Sequence, residues 1–403
     1  MTRSCSRYMS IGELIDRIES GVSVRSYDQP ASLEQKGVLK VSALADGRFD
    51  PTKNKLIRDD EVQRASINPT AGCTIVSRAN AILLVGESAF VEQSCPNLYL
   101  PDKLWQLYPN RKLVDPYWFS LLLASPRVRA SARLGATGTS SSMKNISQAA
   151  YLRIEVRVPP LNEQRRAAQI LATINEYLAG LRRLVAMRFK LRRGLMLQLL
   201  TGQRRFHRFT TSPWRFARLG DHAQSLSQRN NGRLGPQSVM GVMKNVGLMP
   251  MRRHVRAASL ARYQLVPPNG FAYNPMRLNI GSVGRNNIGE ACLVSPDYIV
   301  FQTDENTLLP AFLDQVRRSH IWQRFVRPAG TGSVRVRIYF DDLAEMRIPL
   351  PSIEEQKRIA DTLDTIDREI ALLERQREAY NAQKRALMQR LLSGGIETLD
   401  STA

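Results

Sequence analysis

Long apolar runs and paired cysteines are missing from this 403-residue sequence, and each absence excludes a class of protein. No apolar run approaches the roughly 20 residues that cross a bilayer, and Met1–Ser10 lacks the apolar stretch of a secretory signal peptide. The four cysteines are scattered without disulfide or metal-ligand spacing. We therefore expect a cytoplasmic protein in a reducing setting, with no membrane partner.

The sequence also lacks the residue patterns of an enzyme. There is no Gly-x-x-x-x-Gly-Lys-Ser/Thr loop for nucleotide phosphates, so ATP hydrolysis is not expected in this chain. The four histidines stand in different local settings without metal-ligand spacing. Asn274-Pro275 matches half of the Asn-Pro-Pro-aromatic motif of adenine methyltransferases, but Met276 and Arg277 replace the other half. We predict no catalytic residue, no metal site and no cofactor bound by this chain.

Acidic residues are scarce relative to basic ones. The chain has 58 lysines and arginines against 36 acidic residues, a formal net charge of +22. Residues 203–350 carry 21 against 9 and residues 159–202 carry 8 against 2, whereas residues 351–394 are balanced at 8 each. Because each neutralised phosphate releases condensed counterions, this excess favours a nucleic acid as the partner. A membrane surface is less favoured, since no basic amphipathic helix with an aromatic face stands out.

A long internal repeat is the strongest positive signal. Residues 159–202 reappear without a gap as residues 351–394, 192 positions later. Self-similarity of this length indicates two copies of one plan, a variable globular segment followed by a constant helix. The predicted segments are 1–158 (first globular domain), 159–202 (first helix), 203–350 (second globular domain), 351–394 (second helix) and 395–403 (tail).

Each copy of the repeat predicts one long helix. Apolar residues recur at alternating spacings of three and four, which places them along one seam for pairing with another helix. The seam turns polar at matching places, Arg188 and Arg192 in the first copy and Tyr380 and Lys384 in the second. About 40 residues would give rods on the order of 60 Å.

The ends of these helices carry start and stop signals. Ser352 followed by Glu355 predicts a capping box, in which the hydroxyl and the carboxylate each bond a free backbone amide. Gly202 and Gly394 stand where a left-handed residue would end each helix.

The two globular segments predict mixed α/β domains with long loops. Short β-type runs at 38–41, 81–85 and 298–301 are separated by Gly, Pro and Asn clusters. A helix is expected at 117–132 in the first domain and at 310–325 in the second. Apart from their ends the two interiors hardly resemble each other, as two readers of different targets would require.

Loops that hold Arg, Lys, Asn or Gln beside Gly or Ser are the candidate base readers. Arginine pairs with guanine, and asparagine or glutamine pairs with adenine, through two hydrogen bonds in the major groove. The predicted DNA-binding residues are Ser77, Arg78, Asn80, Thr139, Ser141 and Lys144 in the first domain, and Asn274, Arg277, Asn279, Arg285, Asn286, Asn287, Thr331, Ser333, Arg335 and Arg337 in the second.

The repeated motifs identify a family resemblance. Pro-x-(Leu/Ile)-x-Glu-Gln-x-Arg opens both helices, at 159–166 and 351–358, and Leu-Met-x-x-Leu-Leu-x-Gly closes both, at 195–202 and 387–394. With these motifs the chain resembles the specificity subunit of type I restriction-modification systems over nearly its whole length. The resemblance implies two mixed α/β (α+β) target-recognition domains, separated by two long antiparallel helices that form a coiled-coil-like spacer with a pseudo-twofold internal repeat.

The same resemblance implies partners and a division of labour. The chain would be a non-catalytic subunit that reads a split site on double-stranded DNA, while the helices act as a ruler between the half-sites. It would recruit two modification subunits that bind S-adenosylmethionine and methylate adenines, and restriction subunits that use ATP and Mg. Docking of these subunits is expected on the apolar outer faces of the helices and around Glu163, Gln164, Glu355 and Gln356.

Two other functions remain open from the residues alone. A non-catalytic RNA-binding protein would carry the same basic charge, although paired aromatic stacking motifs are absent. A chain with its own methyltransferase activity would need the complete Asn-Pro motif and a glycine-rich cofactor loop, and the sequence has neither.

Overall fold

The computed structural model describes residues 6–45, 47–138, 143–243, 246–251, 257–326 and 337–393, without the side chains of residues 257–259, 392 and 393. The chain forms two compact units. Unit 1 comprises Met1–Leu181 and Gln376–Ala403, and unit 2 comprises Arg182–Arg375. Each predicted long helix is therefore shared, because both boundaries fall inside it.

Unit 1 is built around a four-stranded antiparallel sheet of order β2-β11-β7-β9, while β1 pairs with β14. Its described strands are β1 (Arg7–Ser10), β2 (Ile15–Ser20), β3 (Gly37–Leu39), β4 (Leu44–Ala45), β5 (Arg48–Phe49), β6 (Asn54–Leu56), β7 (Thr74–Ser77), β8 (Ala79–Asn80), β9 (Ser88–Phe90), β10 (Leu98–Tyr99), β11 (Leu104–Pro109), β12 (Ala136–Thr137), β13 (Lys144–Ile146) and β14 (Glu155–Val158). Its helices are α1 (Pro116–Leu123), α2 (Pro126–Leu134), α3 (Gln148–Leu152), the first half of α4 (Leu161–Leu200) and the second half of α8 (Ile353–Ser393).

Unit 2 has a central antiparallel sheet of order β16-β23-β20-β21, while β15 pairs with β24. Its described strands are β15 (Arg215–Arg218), β16 (Ala223–Leu226), β17 (Met240–Met243), β18 (Gly247–Pro250), β19 (Gln264–Val266), β20 (Phe271–Tyr273), β21 (Val283–Arg285), β22 (Cys292–Val294), β23 (Ile299–Thr303) and β24 (Arg347–Leu350). Its helices are α5 (Pro310–Arg317), α6 (His320–Val326), α7 (Phe340–Ala344), the second half of α4 and the first half of α8 (Ile353–Ser393).

The two units share one scaffold. In each unit, four antiparallel strands follow the same order across the sheet. Two helices come directly after the strand that stands second in that order, β11 or β23. The first and last strands of each globular segment, β1 with β14 and β15 with β24, pair beside the start of a long helix. The remaining small sheets differ, since unit 1 has β10-β3-β6 and β12-β13-β8 where unit 2 has β17-β18 and β19-β22. The internal repeat therefore extends to the core sheets, whose sequences do not reveal it.

Some local predictions are wrong. The apolar run at 81–85 is not a strand but a short 3-10 helix, Ile82–Leu84, with Leu83 and Leu84 exposed. Apolar character without alternation does not separate a strand from a turn. The helix expected at 117–132 is two helices, α1 and α2, because Pro126 cannot occupy a helix interior and instead begins α2. The helix expected at 310–325 is likewise divided into α5 and α6.

The long helices form as the spacing predicts and pair antiparallel within each unit. In unit 1 the ring of Tyr177 lies 4.5 Å from that of Tyr380, centre to centre. In unit 2 Arg188 Nε lies 3.3 Å from Glu369 Oε2. In the same unit Arg192 pairs with Asp367, so positions on α8 fall as positions on α4 rise, which is the antiparallel sense. Seam residues such as Leu171, Leu178, Leu363 and Ile370 are buried.

The helix ends follow the sequence in part. Gly202 has φ +72°, the left-handed conformation expected of a helix stop. The Ser352 hydroxyl accepts the Glu355 amide at 3.4 Å, but the Glu355 carboxylate turns to Arg205 and Trp214, so only half of the capping box forms. Gly394 lies outside the described residues.

A buried glutamine fastens the start of α4 to unit 1. Gln164 has no exposed surface. Its Nε2 donates to the carbonyls of Leu113, at 3.0 Å, and Pro159, at 2.8 Å, and its Oε1 accepts the amide of Asp115 at 2.8 Å. Asp115 is the N-cap of α1, so one side chain joins the start of α1 to the start of α4.

The same device recurs in unit 2. Gln356 is fully buried, its Nε2 donates to the carbonyls of Thr307, at 2.9 Å, and Pro351, at 3.0 Å, and its Oε1 accepts the amide of Leu309 at 2.8 Å. Leu309 is the N-cap of α5. The repeated glutamine therefore has a structural role, because each copy joins a domain helix to a long helix. We call this contact the glutamine clamp.

We predict that Gln164→Ala and Gln356→Ala each lower the free energy of unfolding by about 3 kcal/mol. Each substitution leaves one amide and two carbonyls unpaired in a buried site, and an unpaired buried group costs on the order of 1–3 kcal/mol. Urea denaturation of the full chain measures the change. Gln169→Ala, at an exposed position of α4, is the control and should change stability by less than about 0.5 kcal/mol. Equal stability of the buried variants and the control would contradict the role of the clamp.

Candidate nucleic-acid interface

In unit 1 the structure brings together two of the predicted reader segments. Strand β8, which ends at Asn80, pairs with β13, which begins at Lys144, and these two residues lie directly opposite each other. The Ile146 amide also donates to the carbonyl of Arg78 at 3.0 Å. Residues about 65 positions apart thus form one surface, as a shared binding site requires.

The polar side chains of this surface are oriented by backbone groups. Arg78 Nε donates to the carbonyl of Asp102 at 2.8 Å, and Asn80 Oδ1 accepts the amide of Ala81 at 2.8 Å. Lys144 Nζ donates to the carbonyl of Gly138. All three side chains are half-buried, so each keeps an accessible part, and their contact with DNA stays a prediction.

Ser77 does not belong to this surface. It is fully buried in β7, and its Oγ has no hydrogen-bond partner among the described residues. A side chain without exposed surface cannot reach a base edge, so its prediction as a reader is corrected. Burial follows from the central position of β7 in the sheet, between β11 and β9, which the local sequence does not show.

In unit 2 the loop 274–281 presents Arg277 to solvent. Asn274 Oδ1 accepts the amide of Met276 at 3.0 Å, which closes a tight turn before Arg277. A 3-10 helix, Leu278–Ile280, follows and ends at Gly281, whose φ is +93°. The turn leaves Arg277 exposed and Asn279 half-buried, so both predicted readers keep accessible surface.

Asn286 is a structural residue. It is fully buried, and its Nδ2 donates to the carbonyls of Val266, Pro267 and Glu290 at 2.8 to 3.1 Å while its Oδ1 accepts the amide of Ile288. All its hydrogen-bonding capacity holds the loop after β21, so its prediction as a reader is corrected. The neighbouring Asn287 is exposed.

Arg285 lies near two charged residues in the interior of unit 2, Asp364 and Arg317. It is half-buried, and its Nε is enclosed without a hydrogen-bond partner among the described residues. Burial raises the pKa of Asp364, and the positive charge of Arg285 opposes that rise. Burial also lowers the pKa of Arg317, and Arg285 adds to that decrease. The charge of Arg285 therefore influences the pKa values of two interior groups of unit 2, and its contact with DNA stays a prediction.

The remaining predicted readers lie near the ends of described segments or beyond them. Arg337 is exposed, and its Nη1 donates to Tyr339 Oη at 3.5 Å. The other predicted positions fall outside the described residues: Thr139, Ser141, Thr331, Ser333 and Arg335.

The polar places predicted on the helix seam form specific pairs. Arg192 binds Asp367 through its Nε and Nη2, and its Nη2 also donates to Gln315 Oε1 at 3.1 Å. Arg318 Nη1 donates to the same Asp367 at 3.1 Å. The cluster joins α4, α5 and α8 within unit 2, where the side chain of Arg192 is 13% exposed.

Comparison with known proteins shows which family the chain resembles. Residues 273–380 match the family model described as the type I restriction modification DNA specificity domain. Over 379 residues, 89% of this chain and 87% of the relative, the sequence is 23% identical to a Methanocaldococcus jannaschii protein described as the MjaX type I restriction enzyme specificity subunit. The chain is similar over most of its length to a specificity subunit of a type I restriction-modification system.

Two further known proteins show the same similarity. The Escherichia coli EcoEI specificity subunit is 25% identical over 168 residues, 41% of this chain and 28% of that protein. The crystal structure of the type I restriction-modification S subunit from M. genitalium shares the fold, with a TM-score of 0.63, 13% identity and 97% of each chain covered. Both sequence relatives are described as specificity subunits.

Three of the four residues predicted for subunit docking have internal roles. Gln164 and Gln356 are the buried clamps. Glu355 is also fully buried, where it accepts from Arg205 Nε at 3.0 Å and from Trp214 Nε1 at 2.9 Å. These predictions are corrected, because a buried and satisfied side chain offers nothing to a partner. Glu163 is half-exposed and stays a docking prediction.

A β-hairpin of unit 2 has no counterpart among the sequence predictions. Strands β17 and β18 pair antiparallel from Met240↔Pro250 to Met243↔Gly247. Val242 and Leu248 pack inward, whereas Met243, Val246, Met249 and Met251 are exposed. The major groove of DNA admits a two-stranded ribbon, so this hairpin has a shape suited to base contact. The available signal was a pair of short apolar runs, 240–243 and 246–251, on either side of Lys244-Asn245.

The described residues contain no group of histidine, cysteine and carboxylate side chains placed to hold a metal ion. Within the same ranges no helix combines the length and apolar character that a membrane crossing requires.

We predict that Gly284→Ala displaces the β17–β18 hairpin. A Cβ at Gly284 would lie 2.6 Å from the backbone nitrogen of Leu248 and 2.7 Å from the Cα of Gly247, so the hairpin must shift. We expect a loss of about 1–3 kcal/mol in stability and faster amide exchange in β17 and β18. The control is Gly194→Ala, where a Cβ meets no atom within 4 Å and stability should hold or rise. Unchanged exchange in the hairpin would show that it does not depend on this contact.

Proposed function

We propose that units 1 and 2 each read one half of a bipartite DNA site. The observation that carries this proposal is the scaffold built twice, with the same sheet order and the same glutamine clamp, around loops that differ between the copies. Two copies of one reader with identical loops would recognise one sequence twice. Different loops on a common scaffold are what a site with two unlike halves requires.

The charge distribution supports DNA as the ligand. The basic excess is greatest in residues 203–350, the segment that contains Arg277 and Arg337. Phosphate contacts would position the subunit on the duplex, and a small number of side chains would read bases. The RNA-binding alternative gains no support from the relatives, which are specificity subunits of restriction enzymes. The methyltransferase alternative is also disfavoured, because Asn274 Oδ1 is engaged by the Met276 amide.

We also propose the partners and their division of labour. Two modification subunits would dock on the long helices and supply S-adenosylmethionine for adenine methylation. Restriction subunits would supply ATP-dependent translocation and cleavage with Mg. The complex would act in the cytoplasm, and this chain would bind none of these cofactors itself.

The paired helices are proposed to set the spacing of the half-sites. Helix α4 has 40 residues and α8 has 41, and at 1.5 Å per residue each is about 60 Å long. Because the helices pair antiparallel within each unit, we propose that they act as a stiff element rather than a flexible linker. Half-sites read from one face of the duplex would then be separated by about one helical turn, on the order of 34 Å.

We predict that Arg277→Ala relaxes recognition at a single base pair of one half-site. Loss of a paired arginine contact to guanine costs about 1–3 kcal/mol of discrimination at its own position. Selection of binding sites from randomised DNA, with the chain and its modification subunits, measures the preference at each position. Arg218→Ala is the matched control in unit 2, since Arg218 pairs with Glu345 and is not a predicted reader. An equal loss of affinity for all sequences would assign Arg277 to a phosphate.

A further inference from the structure

The outward face of the β17–β18 hairpin in unit 2 carries two methionines. In the register of the hairpin, Met243 lies opposite Gly247 and Met249 lies opposite Gly241. Because a glycine has no side chain, each methionine has no side chain beside it on the facing strand. Both are exposed, Met243 at 53% and Met249 at 41%. We call these two residues the methionine face.

The methionine face is exposed because the other face of the hairpin is used for packing. Val242 and Leu248 pair across the hairpin and pack against the small core that contains Val266. Successive side chains of a strand point to opposite faces, so residues 241, 243, 247 and 249 share the outward side.

A third methionine extends this apolar surface. A Cβ at Gly241 would lie 3.1 Å from Met251 Cε, so the end of Met251 covers that glycine beside Met249. Val246, at the other end of the hairpin, is also exposed. Contiguous exposed apolar groups of this kind mark a surface that binds a partner.

The hairpin lies beside the predicted reader loop of unit 2. Loop 274–281, which carries Arg277 and Asn279, leads into β21, the edge strand of the central sheet. A Cβ at Gly284 of β21 would lie 2.7 Å from the Cα of Gly247, so the backbones of β21 and β18 are in contact. The hairpin and the loop therefore adjoin the same edge strand, where one ligand can contact both.

Charge and shape favour double-stranded DNA as that ligand. Residues 237–256, which contain the hairpin, include four lysines and arginines and no acidic residue. Phosphates line both sides of the major groove, and the groove is wide enough for a two-stranded ribbon. Its base edges present one apolar group, the C5 methyl of thymine. A basic segment with an apolar outward face is therefore complementary to a groove that contains thymine.

We propose that the methionine face recognises thymine in the half-site bound by unit 2. Met243 and Met249 make van der Waals contact with the C5 methyl, which adenine, guanine and cytosine lack. A base with a polar edge at the same place would lose its water without gaining a hydrogen bond, which disfavours it. Unit 2 thereby selects an A·T pair in one orientation. This proposal rests on the proposed function, which supplies the DNA half-site.

The test removes the methyl group and leaves base pairing unchanged. The chain with its modification subunits first selects its site from randomised DNA, and each thymine of that site is then replaced singly by deoxyuridine. At one or more positions, all within one half-site, we expect binding to weaken about fourfold. That factor corresponds to roughly 0.8 kcal/mol, the value of one buried methyl group.

Matched variants assign the effect to the hairpin. Met243→Gln with Met249→Gln keeps the side-chain length but makes the ends polar, so thymine and deoxyuridine should then bind equally at those positions. Met243→Leu with Met249→Leu keeps the face apolar and should retain at least about a twofold preference for thymine. Leu372→Gln, at an exposed position of α8 in unit 2, is the control and should retain the full effect. Amide exchange in β17 and β18 verifies that the hairpin forms in each variant.

Three results would overturn the inference. One is equal binding of the thymine and deoxyuridine duplexes at every position, and another is a fourfold effect that survives in the glutamine variant. The third is an unaltered thymine preference in a glutamine variant that binds its modification subunits or phosphatidylserine vesicles less tightly, which would assign the methionine face to a protein or a lipid surface. If the unaltered chain with its modification subunits selected no bipartite site, the proposed function would fail and this inference with it. That result differs from a bipartite site whose binding ignores the methyl group.

Discussion

A fully buried glutamine at the start of each long helix is the interaction on which the arrangement of each unit depends. Gln164 and Gln356 each bond one amide and two carbonyls, and in both cases the amide belongs to the N-cap of a domain helix. Because the side chain reaches three backbone groups, a shorter or apolar residue could not replace it. The reader domain is thereby fixed in orientation to the rod that follows it, which a flexible connection would not achieve.

A layer of polar residues interrupts the apolar seam between the helices, and its contacts differ between the two units. In unit 2 the layer consists of ion pairs, Arg188 with Glu369 and Arg192 with Asp367, whereas in unit 1 the rings of Tyr177 and Tyr380 are in contact at a tilt of 54°. The same layer of the repeat thus uses charge in one unit and aromatic contact in the other. Polar residues in a helix seam cost stability but select partner and register.

The sequence predicted the features that depend on periodicity and not those that depend on distant contacts. Seam spacing gave both long helices and their pairing, and Gly202 marked the end of the first. Burial of Ser77 and Asn286 depends on neighbouring strands and loops, so residue type alone made them look like readers. The partner of Glu355, Arg205, is 150 positions away, and no local pattern could show that the repeated Glu-Gln serves the interior. The exposed position of Arg277 was accessible to prediction because Asn-Pro-Met-Arg is a turn sequence.

The most direct test of the account lengthens the rods. One heptad inserted between Arg182 and Lys190 of α4, with a matching heptad between Glu374 and Ala382 of α8, keeps the seam in register and adds about 10 Å. At 3.4 Å per base pair the preferred spacer of the DNA site should lengthen by about three base pairs at most, with both half-site sequences unchanged. Site selection from a library with randomised half-sites and variable spacers measures both quantities. An unchanged spacer preference in a folded, DNA-binding variant would contradict the claim that the helix pair sets the distance.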